Sequence, residues 1–462
     1  MVPESDLIEF DGQYWCIWHL PLRVREAQSP KSQWSDARIS AFNESIFASM
    51  DQIKTGETCN LRGVVFPGEV SFERYAGEDN VLPKLGFESA KFLGRVSFAG
   101  CKFSDYARFD NTTFCDAAVF SRATFDDPVF QEATFCAGAF FDRARFARMA
   151  YFPGARFDGY ANLVRAELHA AMFAGARFGA EARFDGATFS GHQAAFDWAR
   201  FRGPAVFDDA IFSGHAQLME VTFEDDARFV GSATAEGISR GADTFARSLT
   251  FRGATFRGRA HFINRRFLGA TDFRNATFHV APEFHNTVLH QSTDFSGTNF
   301  LDRTGTEYVN AAMAYRTLKL AMESVRARDE EARFYGYEQQ SLRAKKDTPS
   351  SIKVVSWLYE GAADYGQSFA LPLSWLFISL FVFTLMYALI GGAAMWGDWQ
   401  GVLRFALQQV FQPFGAFRTF VGANAAEPVS LGLALLAACH SLLTFAFLAL
   451  FLLALRRRFR LN

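Results

Sequence analysis

Bulky apolar residues return along this chain at alternating steps of five and six, as at Phe98, Phe103, Phe109, Phe114, Phe120 and Phe125. The underlying period is eleven. It holds from Phe87 to Phe300, through Phe196, Phe207, Leu218 and Phe229, and again through Phe251, Phe262, Phe273, Phe284 and Phe295. Neither 3.6 nor 2.0 residues per repeat generates such a ladder, which excludes an amphipathic helix and a plain series of hairpins. The 54 phenylalanines in 462 residues are the compositional trace of one structural position used again and again.

Two positions before the ladder residue stands a small one, as at Ala107, Ala123, Ala133, Ala155, Ala176, Ala187, Ala199, Ala210, Ala254 and Ala276. Residues two apart on an extended segment share a face, so the small residue and the Phe both point inward while Arg, Asp and Thr point out. Cys101 occupies the same small position and reads as a core filler; Cys115 and Cys136 directly follow ladder residues and also read as structural. Just after the Phe come Asp, Ser, Gly and Arg, as in Phe157-Asp158-Gly159 and Phe184-Asp185-Gly186, which is turn chemistry recurring at every corner. No unit buries its Phe alone, so neighbours must stack. With four sides to a coil of roughly twenty-two residues and coils about 4.8 Å apart, the ladder predicts about ten coils and a rod on the order of 45 Å.

These residues resemble the pentapeptide-repeat family, in a Phe-rich variant with an eleven-residue double unit such as that around Ala187-Thr188-Phe189-Ser190-Gly191-His192. The resemblance implies an all-β solenoid, a right-handed quadrilateral β-helix, over residues 87–300. The extra residue in every second step predicts a bulge on every second side. Gly231 to Leu249, rich in Gly, Ala and Ser, interrupts the ladder and reads as a loop excursion.

Residues 1–86 are mixed in pattern and carry Trp15, Trp18 and Trp34; a cap is expected here, because a solenoid end leaves unpaired backbone and a bare apolar cross-section. Cys16 and His19 have half the spacing of a zinc site, but no second pair lies nearby, so no metal is expected. Residues 301–370 switch to helical periodicity, with Tyr308, Ala311, Tyr315, Leu318, Met322 and Val325 on one face, followed by a charged stretch from Glu330 to Lys346. Fewer than three heptads are present, which favours a helical pair lying against the last coil over a coiled-coil seam.

Residues 371–462 form a two-span module. Leu371 to Ile390 is uncharged and long enough to cross about 30 Å of hydrocarbon, and Val429 to Leu455 is a second such stretch, stopped by Arg456-Arg457-Arg458-Phe459-Arg460. Lys345, Lys346 and Lys353 precede the first span, and the intervening loop holds only Arg404 and Arg418. The positive-inside bias then puts both termini in the cytoplasm and the protein in the inner (plasma) membrane. The acidic stretch from Met1 to Trp15, without an apolar leader core, agrees with a solenoid that stays in the cytoplasm.

Between the spans an amphipathic helix is expected over 399–412, with Trp399, Val402, Leu403, Ala406 and Val410 on one face, Gln408, Gln409 and Gln412 elsewhere, and a Pro413-Phe414-Gly415 turn after it. Span, short helix, turn and span are similar in layout to two-span channels with a re-entrant pore helix. The Thr-Val-Gly-Tyr-Gly filter is absent, so potassium selectivity does not carry over. A helix flat on the outer interface is the other reading of the same residues. His440, beside Ser441 and Thr444, sits inside the second span, where it either marks a polar pathway or bonds across a helix interface.

Composition excludes several functions. A net charge of −2, with Arg and Asp interspersed, provides neither the basic footprint of a nucleic-acid binder nor the acidic stripe of the DNA-mimicking, topoisomerase-binding members of the resembled family. Nine dispersed His, without HExxH, GxSxG or a phosphate-cradling glycine loop, point to no catalytic residue and no cofactor. The remaining partners are the lipid bilayer and a protein bound on the solenoid faces. Two readings follow: a non-enzymatic membrane-anchored scaffold, or a homo-oligomeric pore whose cytoplasmic sensor is the solenoid.

Overall fold

A computed structural model describes residues 7–24, 27–53, 57–76, 78–234, 237–238, 244–302, 311–390, 399–411 and 431–458. Two compact units result, Met1–Ala327 and Arg328–Asn462.

The first unit is a β-solenoid of about ten turns. Its short strands pair in parallel with the equivalent strand of the next coil, in sheets of eleven, nine and fifteen strands. Register follows the repeat: Phe92 pairs with Phe114, Phe114 with Phe135, and Phe135 with Phe157. The rings stack where the backbones pair. Phe66, Phe92, Phe114, Phe135, Phe157, Phe178, Phe201, Phe223, Phe256, Phe278 and Phe300 form one unbroken column with centroids 4.5–5.3 Å apart. Three further columns run beside it, with Leu163, Leu168 and Leu218 standing in for rings. Columns meet edge to face, as at Phe109–Phe120 (5.6 Å, 83°) and Phe130–Phe141 (5.5 Å, 90°), the geometry that the ring quadrupole favours. The small residues named above are all buried between them, Cys101 included. Where Thr takes that position, its hydroxyl donates inward: Thr112 Oγ1 to the Phe87 carbonyl at 2.6 Å and Thr298 Oγ1 to that of Phe273 at 2.7 Å.

The alternation of five and six comes from two kinds of corner. At the corners that are five residues long in every coil the residue two after the ring is left-handed, as at Asn111 (φ 55°), Arg122 (φ 59°), Glu132 (φ 55°), Arg143 (φ 54°) and Gly154 (φ 67°). The next N–H donates back to the ring residue's carbonyl, as from Thr112 to Phe109 and Ala123 to Phe120, which closes a type II turn. Six-residue corners carry the extra residue without positive φ. Register shifts fall on one side of the coil, where the step alternates between six residues (Phe103 to Phe109, Phe146 to Phe152) and five (Phe125 to Phe130, Leu168 to Phe173); on the other six-residue side, as from Phe114 to Phe120 and Phe135 to Phe141, neighbouring coils match in length.

The sheets begin before the ladder, with Thr58–Asn60, Val65–Phe66 and Val70–Ser71. Ahead of them an antiparallel hairpin, Leu7–Phe10 with Gln13–Cys16, precedes helix α1 (Asp36–Asp51), which lays Phe42 on Phe66. Asn43 of α1 donates to the Glu69 carbonyl at 2.9 Å, occupying an end group of the first coil. A single short helix, α2 (Phe72–Ala76), turns one corner of that coil.

The excursion expected over Gly231–Leu249 is shorter than it reads. Ala233–Thr234 pairs with Gly237–Ile238, and by Phe245 the chain is back in its column, stacked on Phe212 at 5.1 Å and Phe267 at 5.0 Å. The last coil meets α3 (Ala311–Ser324), whose Tyr315 packs edge-on against Phe300 and donates its hydroxyl to the Asp302 carbonyl at 2.6 Å. Of the helical pair expected there, this member belongs to the same unit as the solenoid.

The second unit is helical: α4 (Arg328–Ala344), α5 (Ser350–Ala363), α6 (Ala370–Ile390), α7 (Trp399–Phe411) and α8 (Leu431–Arg458). Helices α6 and α8 are long and apolar enough to cross a membrane.

Candidate functional site

The solenoid interior is filled by rings, so ligand chemistry is confined to its surface. The turn position after one ring column carries Arg122, Arg143 and Arg165 on three successive coils, aligned because the Arg122 N–H donates to the Asp142 carbonyl, that of Arg143 to Val164 and that of Arg165 to Asp185. These three arginines are exposed and line a polar cleft of about 710 Å3 with Tyr160, Arg183, Asp185 and Asp208. The carboxylates of the cleft have other partners: Asp185 is paired with Arg183 at 2.7 Å and Asp208 with Arg228 at 2.7 Å, while Asp142 accepts from the Ser121 hydroxyl and Asp209 from the Ser232 hydroxyl, each at 2.6 Å. Among the described residues no carboxylate comes within ion-pair distance of Arg122, Arg143 or Arg165. Burial pushes the Tyr160 hydroxyl above its ordinary pKa, which keeps it a donor at the rim. Three guanidiniums spaced by the coil rise present a row of fork-shaped donors to an anionic surface.

The second polar cluster lies among α6, α7 and α8. Helix α7 packs on both long helices, burying Val402, Ala406 and Gln409. His440 is fully buried, stacked on Phe383 with centroids 4.4 Å apart and with Nδ1 3.1 Å from the Tyr387 hydroxyl. Its Nε2 has no hydrogen-bond partner among the described residues. Ser441 Oγ donates to the Gln409 carbonyl at 3.2 Å, and Thr444 Oγ1 to that of His440 at 2.9 Å.

The sequence-named residues therefore part company. Gln409 and His440 come together in one cluster, while Gln408 is exposed on the other side of α7. Gln412, Pro413, Phe414 and Gly415 lie outside the described residues. Sequence reasoning missed Tyr387, the hydroxyl that meets His440; a Tyr in the last turn of a largely apolar span was the available signal. Cys16 and His19 are engaged with each other, Sγ to Nδ1 at 2.8 Å, and His19 Nε2 donates to the Arg62 carbonyl at 2.9 Å. Missed as well was Lys31, fully buried, donating to the Ile17 and Trp18 carbonyls and facing the Phe42 ring at 4.3 Å.

Residues 87–129 match the family described as pentapeptide repeats (9 copies). No curated protein and no solved structure matches the chain.

Proposed function

We propose that this pentapeptide-repeat protein is a non-enzymatic scaffold, held in the inner (plasma) membrane by α6 and α8, whose solenoid binds a protein partner in the cytoplasm. The observation that carries the reading is the row of Arg122, Arg143 and Arg165 beside carboxylates that are already paired. A rigid stack fixes their spacing without entropic cost at the moment of binding, and an acidic protein surface is the partner that such a row fits. Lys345, Lys346 and Lys353 before α6 and Arg456 at the end of α8 orient both ends of the module toward the cytoplasm. The test exchanges residues 371–462 for an unrelated two-span anchor. A scaffold keeps its cellular activity after the exchange and loses it on charge reversal of Arg122, Arg143 and Arg165 together. Loss on anchor exchange alone rejects it.

A second reading is a homo-oligomeric pore. It is favoured by one observation, the burial between apolar helices, where polar groups are costly, of Gln409 and of His440, whose Nε2 has no partner among the described residues. Purified protein in liposomes then dissipates an ion gradient, and Gln409→Leu changes the rate. Liposomes that stay tight with protein inserted reject the pore.

A further inference from the structure

Helix α5 is amphipathic in the sense opposite to that of a water-facing helix. Its large apolar side chains point outward: Ile352, Val354, Val355, Trp357 and Leu358 are 54–66% exposed. Two of its polar side chains, Ser356 and Glu360, point toward protein. Glu360 accepts from Gln340 Nε2 at 2.7 Å and pairs with Arg343, and Ser356 Oγ lies 3.0 Å from the Tyr365 hydroxyl. A helix in water buries the first set and exposes the second. Five large apolar side chains on one face also form a continuous patch, which on a soluble surface marks an interface.

The corner that follows fixes where this face lies. Asp364, Tyr365 and Gly366 are left-handed in succession, with φ of 47°, 51° and 81°. Such a run persists only where its surroundings hold it. Tyr365 is buried, its hydroxyl between Ser356 and Arg343 Nη1, the latter at 3.4 Å. Helix α6 starts directly beyond, and its Trp375 indole donates to the Gly361 carbonyl of α5 at 2.8 Å. The outward face of α5 is thereby continuous with the entry end of an apolar span; Lys353 lies on α5 itself, and Lys345 and Lys346 are in the connection that leads into it.

We propose that α5 is an in-plane membrane helix. Its Ile352–Leu358 face enters the headgroup and acyl-chain boundary of the leaflet where α6 begins, and the three lysines meet anionic lipid headgroups. The inference rests on α6 being a span. Given that, the tether through the locked corner holds the apolar face at the bilayer surface before any soluble partner is considered, which is why lipid and not a second chain is the occupant.

The test uses the full chain with Cys16, Cys115, Cys136 and Cys439 changed to Ser and a fluorophore placed at Val355→Cys, with Trp357→Cys as an independent site on the same face. Vesicles contain phosphatidylcholine and phosphatidylglycerol in equal parts. Nitroxide near the headgroup end of the acyl chain should quench both α5 sites, and aqueous iodide should quench them roughly fivefold less than a label at Arg143→Cys on the solenoid. Replacing Lys345, Lys346 and Lys353 by Gln should lower the nitroxide quenching, as should omission of phosphatidylglycerol. A label at Phe381→Cys in α6 separates the two levels of failure. Strong iodide quenching at α5 with lipid quenching at Phe381 overturns the in-plane helix and leaves the span. Shielding of α5 from both quenchers, with cross-linking between Val355→Cys chains, makes a second copy the occupant and overturns it too. No lipid quenching at Phe381 overturns the span reading and the proposal with it.

Discussion

The corners of the solenoid place ordinary residues where glycine is at ease. Glu132 sits at φ 55° and is exposed, so its side chain contributes little while its Cβ is strained. Glu132→Gly should stabilise the protein by about 1 kcal/mol, less whatever the more flexible unfolded chain gains, and a shift of the urea midpoint at unchanged slope checks it. Lys31 gives a pH-dependent counterpart. Burial lowers its pKa from 10.5 to about 7, so the folded protein releases a proton that the unfolded chain keeps until about 10.5. Between those values the unfolded state binds more protons and stability rises with pH. Denaturation of the detergent-solubilised chain should therefore require more urea at about pH 9 than at about pH 7, and Lys31→Met should abolish the difference. Neither feature is written in the local sequence. A left-handed Arg or Glu looks like any surface residue, and Lys31 is buried only because α1 folds over it, its ammonium against Phe42 and the carbonyls of a turn fourteen residues upstream.

Each ring column behaves as a single element whose members are interchangeable within limits. Phe130 stacks between Phe109 at 4.7 Å and Phe152 at 4.6 Å and is fully buried. Phe130→Ala should cost about 3–5 kcal/mol, since the column cannot collapse across a gap that its backbone hydrogen bonds hold open, whereas Phe130→Leu should cost under about 1.5 kcal/mol. The second figure follows from Leu163, Leu168 and Leu218, which already occupy equivalent places; chemical denaturation of the two variants compares them. This element was legible, because burial of one bulky residue per side forces the ladder into the sequence. What breaks the ladder was not. Where the excursion before Phe245 interrupts a row of backbone bonds, Arg265 enters the small inward position, donates to the Ala210 carbonyl at 2.7 Å and covers the Phe245 ring at 4.8 Å. An Arg two before Phe267 reads from sequence as an outward charge; only the missing rung explains its fully buried side chain.

At the scale of the whole molecule, hydropathy made α6 and α8 legible, and short-range periodicity made α3, α4 and α7 legible, but which helices belong together depends on contacts that no local pattern encodes. The pair α3 and α4 divides between two units, and α5 hides in the sequence because its apolar face points away from protein. Sidedness is the one property of the whole chain that the charges alone bear on. Cys115 and Cys136 are both exposed on the solenoid, on adjacent coils, and Cys439 is exposed on α8. A membrane-impermeant maleimide added to intact cells should leave Cys115 and Cys136 unmodified if the solenoid is cytoplasmic, and should modify both once the membrane is permeabilised. Burial raises the pKa of the Cys115 thiol, with Cys136 beside it adding to the effect, so its labelling should also quicken as pH rises. Cys59 and Cys101, whose thiols burial pushes up to about 11 and about 12, should stay unlabelled in both conditions unless the solenoid unfolds. Labelling of Cys115 and Cys136 in intact cells would overturn the proposed topology, because the lysines before α6 would then face the outside against the positive-inside bias.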